Sequence, residues 1–230
     1  MTEEKKYHVN GAGAVTECDA EDGNCPFGEF SIHSTDKAKV QEFADKSNEL
    51  EVEYIQIIKT EPYITANLEN KLPSHVYLVG KEFRTKSLSS TKRKVLMGNQ
   101  YNSCKELNDL IRYTAITNNQ DFSKDSKKLL QELSKDNEIL AKDLKWDSPY
   151  EYKGFHIKLQ DKETGSKWEL QIHTEESFNA KTEAHVLYEK ERHPDTPVRE
   201  KRRIHEEQED IFEKVPEPNL YELREFLKMN

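Results

Sequence analysis

The sequence predicts an α+β domain: a mixed sheet of about five strands flanked by helices, preceded by a small ββα module. Three observations lead there. Strand-like runs (VYLVGKEFR, ELNDLIRYTAI, GFHIKLQ, KWELQIHT) are interleaved with runs of helical spacing rather than grouped together. Gly165, in the turn DKETGS, separates two alternating strands, which is a hairpin signal. The last third of the chain has helical spacing punctuated by Pro216 and Pro218.

In order along the chain, residues 1–33 read as short extended pieces: YHVN, GAGAVTEC, the acidic loop DAEDGN and CPFGEFSIH. Ser34, Thr35 and Asp36 cap a helix, STDKAKVQEFADKS, whose Ala38, Val40, Phe43 and Ala44 can cover that small sheet. This defines a module over residues 1–47, and a larger domain is expected over 48–215. From Asn48, Leu50, Tyr54, Ile57 and Ile58 recur at helical spacing until Pro62, and the helix continues or restarts until Pro73 ends it. VYLVGKEFR reads as a strand, and SLSSTKRKVLMGNQ as a short helix starting near Ser87 to Ser90. Glu106 to Ile116 reads as a core strand entered by Asp109. A long helix follows, with Leu129, Leu130, Leu133 and Leu140 on one face. In KWELQIHT the apolar Trp168, Leu170 and Ile172 alternate with Glu169, Gln171 and His173, giving one buried and one polar face. After a turn at Thr174, Lys181, His185, Tyr188 and Arg192 share one stripe of a helix. Residues 216–230 form a last helix, NLYELREFLKM. There is no internal repeat.

Hydrophobic and charged residues each make up 34% of the 230 residues, which fits a soluble, highly charged globular chain. No apolar run approaches a membrane span, and MTEEKKYHVN lacks the apolar region of a signal peptide, so the cytoplasm is the expected location. The net charge of −9 argues against a general nucleic-acid coat, yet basic clusters exist. Lys81, Arg84, Lys86, Lys92, Arg93 and Lys94 face the single acid Glu82, and Arg199, Lys201, Arg202 and Arg203 form a second group. Three cysteines are too few for a disulfide scaffold. Cys18, Cys25 and His33, with His8 as a fourth ligand, could hold Zn²⁺; their spacing is wider than the usual close Cys pair, so the alternative is two reduced, packed cysteines.

The series ELQIHT, Ser177, Lys181, His185-x-x-Tyr188 and Arg192 resembles the C-terminal half of the synthetase domain of RelA/SpoT-type nucleotide pyrophosphokinases. The small stand-alone synthetases and their toxic branch are the nearest in pattern. Arg84-x-Lys86-Ser87 followed by Lys92 or Lys94 is similar to the family's ATP-phosphate-binding stretch. DLIRYT resembles its Asp-containing strand in the Arg-Tyr-Thr form of toxic small synthetases and phage-borne relatives. YKGFH resembles the acceptor loop, with Tyr152 and Gly154 as the matching residues. The match runs from about residue 75 to 192 in the right order.

The resemblance implies a nucleotidyltransferase-like fold in which Asp109 holds Mg²⁺ and Glu169 helps bind it or acts as base. Arg84, Lys86 and Lys92 would contact the phosphates of ATP, with Lys181 and His185 as additional contacts. Tyr152, Gly154, Gln171 and His173 would form the acceptor side, while Tyr188 is read as helix packing. A 3′-hydroxyl attacks the β-phosphorus of ATP, AMP leaves, and pyrophosphate is transferred. His173 stands where alarmone synthetases usually have Arg, and the acceptor loop lacks the longer Gly-Tyr-Arg-Ser-Leu-His signature. Both departures weigh against guanosine nucleotides as acceptors. The expected function is thus a growth-inhibiting toxin acting on the 3′ end of tRNA, held in check by an antitoxin protein. The alternatives are synthesis of a free guanosine or adenosine alarmone and a non-catalytic nucleotide-sensing module. Nothing resembles a hydrolase half, so no matching degradation activity is expected.

Overall fold

The computed structural model describes residues 36–98, 100–146, 152–193 and 195–229, together with the backbone of three short strands nearer the N-terminus. The chain divides into two units, Met1–Glu61 with Thr85–Leu110, and Pro62–Arg84 with Ile111–Asn230. No helix among the described residues is long and apolar enough to cross a membrane.

In the first unit, β1 (Lys6–Val9), β2 (Val15–Cys18) and β3 (His33–Ser34) form an antiparallel sheet in the order β2-β1-β3. The expected zinc ligands Cys18, Cys25, His33 and His8 lie outside the residues whose side chains are described. Helix α1 (Lys37–Ile58) follows, capped by Asp36, whose Oδ1 accepts from the Ala38 and Lys39 amides at 3.0 and 3.4 Å. It runs unbroken through residues 47 and 48, where the sequence reading placed a domain boundary. The reason is periodic: Val40, Ala44, Ser47 and Leu50 form one buried stripe that continues across that point. The chain restarts as α2 (Glu61–Lys71) with Pro62 in its first turn, a position where the missing amide costs nothing. Helix α3 (Leu88–Met97) begins at Ser87, whose hydroxyl accepts from the Ser90 amide. Leu50, Val95, Cys104, Leu107 and Leu110 form this unit's described core. Burial, with the Glu53 carboxylate adding to it, pushes the Cys104 thiol up to about 11.

The second unit holds a five-stranded sheet in the order β4-β5-β8-β7-β6. Its strands are β4 (Tyr77–Val79), β5 (Arg112–Ile116), β6 (Asn137–Lys145), β7 (Gly154–Asp161) and β8 (Lys167–His173). β5 and β8 are parallel and the other pairs antiparallel, so the sheet is mixed as expected. Besides α2, which lies in this unit from Pro62 onward, the helices are α4 (Phe122–Asp136), α5 (Glu175–Glu191), α6 (Val198–Glu213) and α7 (Tyr221–Met229). Thr174 and Ser177 close α5 with a reciprocal capping box.

Three further elements differ from the sequence reading. VYLVGKEFR is a strand only over Tyr77–Val79, and Lys81–Phe83 is a 3₁₀ turn. The core strand does not begin at Glu106: Cys104–Glu106 is a 3₁₀ turn, and Asp109 precedes β5 instead of lying in it. Leu140 does not continue α4 but belongs to β6. Asn137 makes the switch from helix to strand. Its backbone is extended, its side-chain amide donates to the Leu133 carbonyl at 2.9 Å, and its Oδ1 accepts from the Trp168 indole at 2.9 Å.

Candidate active site

In the first unit the loop carrying Asp109 is tied down from two directions. The Lys86 amide donates to the Leu110 carbonyl at 2.9 Å, and the Tyr54 hydroxyl donates to the Lys86 carbonyl at 2.8 Å. This brings two ammonium groups to one carboxylate, with Lys94 Nζ 2.9 Å from Oδ1 and Lys86 Nζ 3.2 Å from Oδ2 of Asp109. Burial alone would raise this carboxyl; the two lysines outweigh it and hold Asp109 below the ordinary range. An ionised carboxylate between two lysines suits phosphate and Mg²⁺, which takes one or two hard oxygens from protein and the rest from phosphates and water. Lys92 is a correction to the expected set. It is 1% exposed and paired with Glu51 at 2.9 Å, so it offers no surface to a phosphate; Lys94, the alternative the motif left open, is the lysine beside Asp109.

In the second unit, strand register builds the rest. Arg112 lies opposite Glu169, while Thr114 and His156 flank Gln171 from either side. Cross-strand partners share a face, so Arg112, Glu169, Gln171, His173, His156 and Gly154 all project from one side of the sheet. The side chains form a continuous network. His156 Nδ1 is 3.2 Å from Glu169 Oε1; the Lys181 ammonium donates to Gln171 Oε1 at 2.7 Å; the Tyr152 hydroxyl lies 3.2 Å from that oxygen and 2.6 Å from His173 Nε2. His173 Nδ1 meets Ser177 Oγ at 3.0 Å. One nitrogen giving and one accepting suits a neutral imidazole. Burial first, then the Lys181 and His156 charges, hold the His173 pKa well below the usual value.

The same environment acts on the neighbouring groups. Burial would raise the Glu169 carboxyl, but His156, Gln171 and Arg112 together hold it below its ordinary range. Burial and the nearby Arg112 bring Lys181 down to about 8, against the opposing pull of Glu169. Gly154 is required by this packing, since a Cβ there would lie 2.8 Å from Cε1 of the His173 ring.

Above this face α5 and α6 enclose a cavity of about 490 Å³. The stripe expected on α5 points into it through Lys181, His185 and Tyr188. Tyr188, expected to pack, instead lines the cavity at 49% exposure. Arg112, Lys145, His156, Gln208 and Phe212 also line it and had no role assigned from sequence. His156 was within reach of sequence reasoning, because the alternation of GFHIKLQ places it with Gly154. Lys145, Gln208 and Phe212 carried no such signal. Among the described residues no carboxylate lines the cavity and Arg112 makes no ion pair. Arg84 belongs to the second unit, where its guanidinium donates to the Lys81 carbonyl at 2.6 Å.

A mixed sheet that carries the buried, ionised Glu169 beside a cationic, aromatic cavity suits an anionic, aromatic ligand such as a nucleotide. Residues 83–193, just under half of the chain, match the region found in RelA / SpoT proteins, and this match supports an ATP-dependent pyrophosphotransferase of the RelA/SpoT type. No curated protein matches the sequence. Among solved structures, a chain of the complex between the Type VI effector Tas1 and its immunity protein is 16% identical, with 73% of this chain and 96% of that one covered and a TM-score of 0.50. Small alarmone synthetase 2 from Bacillus subtilis is 18% identical over 80% of this chain and 97% of its own, with a TM-score of 0.49. Small alarmone synthetase 1 from the same organism is 16% identical over 81% and 100%, with a TM-score of 0.47. At these identities the likeness to the Tas1 complex is one of fold.

Proposed function

We propose that this pyrophosphokinase transfers pyrophosphate from ATP to the 3′-hydroxyl at the end of tRNA and acts as a growth-inhibiting toxin. The observation that carries the choice of acceptor is His173. It stands where the family's alarmone synthetases usually have Arg, and it is buried, neutral and fully engaged by Tyr152 and Ser177. A free GDP or GTP acceptor brings a 5′ polyphosphate that needs cations, whereas the 3′ end of an RNA does not. Losing a guanidinium from this wall therefore weakens the case for a free nucleotide more than for RNA.

In this reading Glu169, kept ionised by His156, Gln171 and Arg112, takes the proton of the attacking 3′-hydroxyl. The 3′-oxygen bonds to the β-phosphorus and AMP departs. Arg84, Lys86, Lys94, Lys181 and His185 are the groups assigned to phosphate charge, and Tyr152, Gly154, Gln171 and His173 shape the acceptor wall. Bound Mg²⁺ would neutralise charge on the transferred phosphates, with Asp109 and Glu169 as the carboxylates offered to it. An antitoxin protein is the expected partner, and the Tas1 neighbour, crystallised with an immunity protein, supports that reading.

The direct test incubates the protein with γ-labelled ATP and either bulk tRNA or free GDP, GTP and ADP. Label should appear on the tRNA; label only on free nucleotides would make the protein an alarmone synthetase instead. A second arm concerns the basic cluster on α6. Arg203 is shared between Glu200 and Glu207, while Arg199 and Arg202 line an open groove on the same helix. Each phosphate contact an RNA makes releases counterions, so replacing Lys201, Arg202 and Arg203 by Glu should cut transfer to tRNA by about a hundredfold and flatten its salt dependence. Transfer to any free nucleotide should stay nearly unchanged. Equal tRNA activity across a salt titration would remove this cluster from the RNA path.

The exchange of Lys92 for Lys94 gives another expected result. Lys94→Ala should raise the KM for ATP by about tenfold, the loss of one charge-assisted contact, with little change in Tm. Lys92→Ala should lower stability by about 2 kcal/mol or more and leave that KM near normal. Steady-state kinetics beside thermal unfolding would separate the two, and the reverse pattern would reinstate Lys92.

A further inference from the structure

We infer that Arg112 is the cation that holds the pyrophosphoryl group as it passes from ATP to the acceptor. The inference rests on the pyrophosphotransferase reading of this site and deepens it by naming a contact to the group transferred. In that transfer the acceptor 3′-oxygen bonds to the β-phosphorus and its proton passes to Glu169. The bond from that phosphorus to the oxygen bridging to AMP breaks, and AMP leaves with the electron pair.

The first argument is placement. Within the second unit Arg112 opens β5, where it lies opposite Glu169 on the parallel strand β8. Its amide donates to the Arg84 carbonyl at 2.7 Å, and the Glu169 amide donates to the carbonyl of the preceding Ile111 at 3.0 Å. The backbone here is thus tied on one side to the stretch that resembles the family's ATP-phosphate site, and on the other to the strand that carries Glu169. The Arg112 side chain lines the cavity with Tyr152, Gln171 and Lys181. The β-phosphorus has to meet the 3′-oxygen where donor and acceptor sides adjoin, and Arg112 stands at that junction.

The second argument is charge. The carboxylate opposite Arg112 is engaged elsewhere, with His156 Nδ1 at 3.2 Å, and among the described residues Arg112 makes no ion pair. The Lys181 ammonium is bound to Gln171 at 2.7 Å rather than to an acid, and Arg112 is close enough to add to burial in drawing its pKa down to about 8. Two cations that repel each other across one cavity are stabilised by an anion seated between them. A group with several adjacent negative oxygens meets that demand, and a planar guanidinium can bind two of them at once.

The third argument is rigidity. The two backbone hydrogen bonds fix the main chain at Arg112 before any ligand arrives, so little reorganisation is left for the moment of reaction. In phosphoryl transfer a single arginine aimed at the developing charge contributes about a thousandfold or more.

The experiment uses the full chain, labelled ATP and, as acceptors, bulk tRNA and free GDP, GTP and ADP. With whichever acceptor reacts, Arg112→Ala should lower kcat by about a hundredfold to a thousandfold while the KM for ATP changes by less than about fivefold. Free guanidinium ion, at concentrations that leave Tm unchanged, should restore part of the lost rate, which a packing role would not allow. Arg112→Lys should fall between the two, because an ammonium keeps the charge and loses the fork. The pH–rate profile separates contact from an indirect role. If Arg112 acted only by keeping Glu169 charged, its loss would shift the acidic limb upward and spare the plateau, whereas loss of a contact to the transferred group lowers the plateau. A second readout needs no turnover: inorganic pyrophosphate should bind the wild-type protein and lose about tenfold or more in affinity in Arg112→Ala. A kcat within about threefold of wild type, a loss confined to the acidic limb, or unchanged pyrophosphate affinity would each overturn the inference. Pyrophosphate binding that depends on Arg112 in a protein that labels no acceptor would leave this contact standing and overturn the pyrophosphotransferase reading.

Discussion

Glu169→Gln should lower pyrophosphate transfer by about a thousandfold while the protein stays folded. The substitution keeps the shape of the side chain and its place opposite Arg112, but removes the charge that accepts the proton of the attacking hydroxyl. Burial would normally neutralise such a carboxyl; here His156, Gln171 and Arg112 keep it charged, an arrangement that serves chemistry better than packing. Asp109→Asn should have an effect of the same order for a different reason, because Lys86 and Lys94 would lose the anion between them. Turnover measured with labelled ATP, beside Tm and circular dichroism, decides the matter. Either single variant with near wild-type turnover would remove that residue from the reaction, and a fall in Tm matching the fall in activity would make its role structural.

The second large effect is expected at a residue with no chemistry of its own. Gly154→Val places a branched side chain where even one Cβ would stand 2.8 Å from the His173 ring. That ring has little freedom, being held by Tyr152 at one nitrogen and Ser177 at the other. Overpacking of this kind costs about 1 to 3 kcal/mol, and the displaced ring would pull Tyr152 away from Gln171. Both a lower Tm and a loss of acceptor turnover are expected. Adding His173→Ala to Gly154→Val should recover much of the stability, since it removes the atom struck, and a double-mutant cycle would measure the coupling. Purely additive losses would show that the strain lies elsewhere.

His173 also ties stability to pH. Its pKa is depressed in the folded protein, so the unfolded chain binds a proton that the folded one refuses. The stability associated with this residue is therefore present above the ordinary histidine pKa and declines as pH falls below it.

Much of this was legible in the sequence, and the limits have physical causes. The two faces of KWELQIHT, the hairpin at Gly165 and the stripe of Lys181, His185 and Tyr188 were readable because period alone determines which residues share a side. NEILAKDLK was misread because its residues are good helix formers and Leu140 extends the leucine spacing of α4; the contacts that end that helix, from Asn137 to Leu133 and Trp168, involve a residue far away in sequence. Lys92 and Lys94 are indistinguishable by composition, and only the direction each takes from α3 assigns one to Glu51 and the other to Asp109. Arg112 entered the site through strand register, which a single sequence does not state.

The order β4-β5-β8-β7-β6 leaves two strands of the second unit with one unpaired side each. Such edges can recruit a strand from another molecule and start aggregation. β4 is only three residues long, too short to template much pairing. β6 has nine residues and is the greater hazard, but its register slips between Ile139 and Ala141, and Lys142, Asp143 and Lys145 place charge along it. The slip and these charges blunt β6 as a template for a further strand. Straightening and neutralising β6 would be expected to cost solubility before it cost activity.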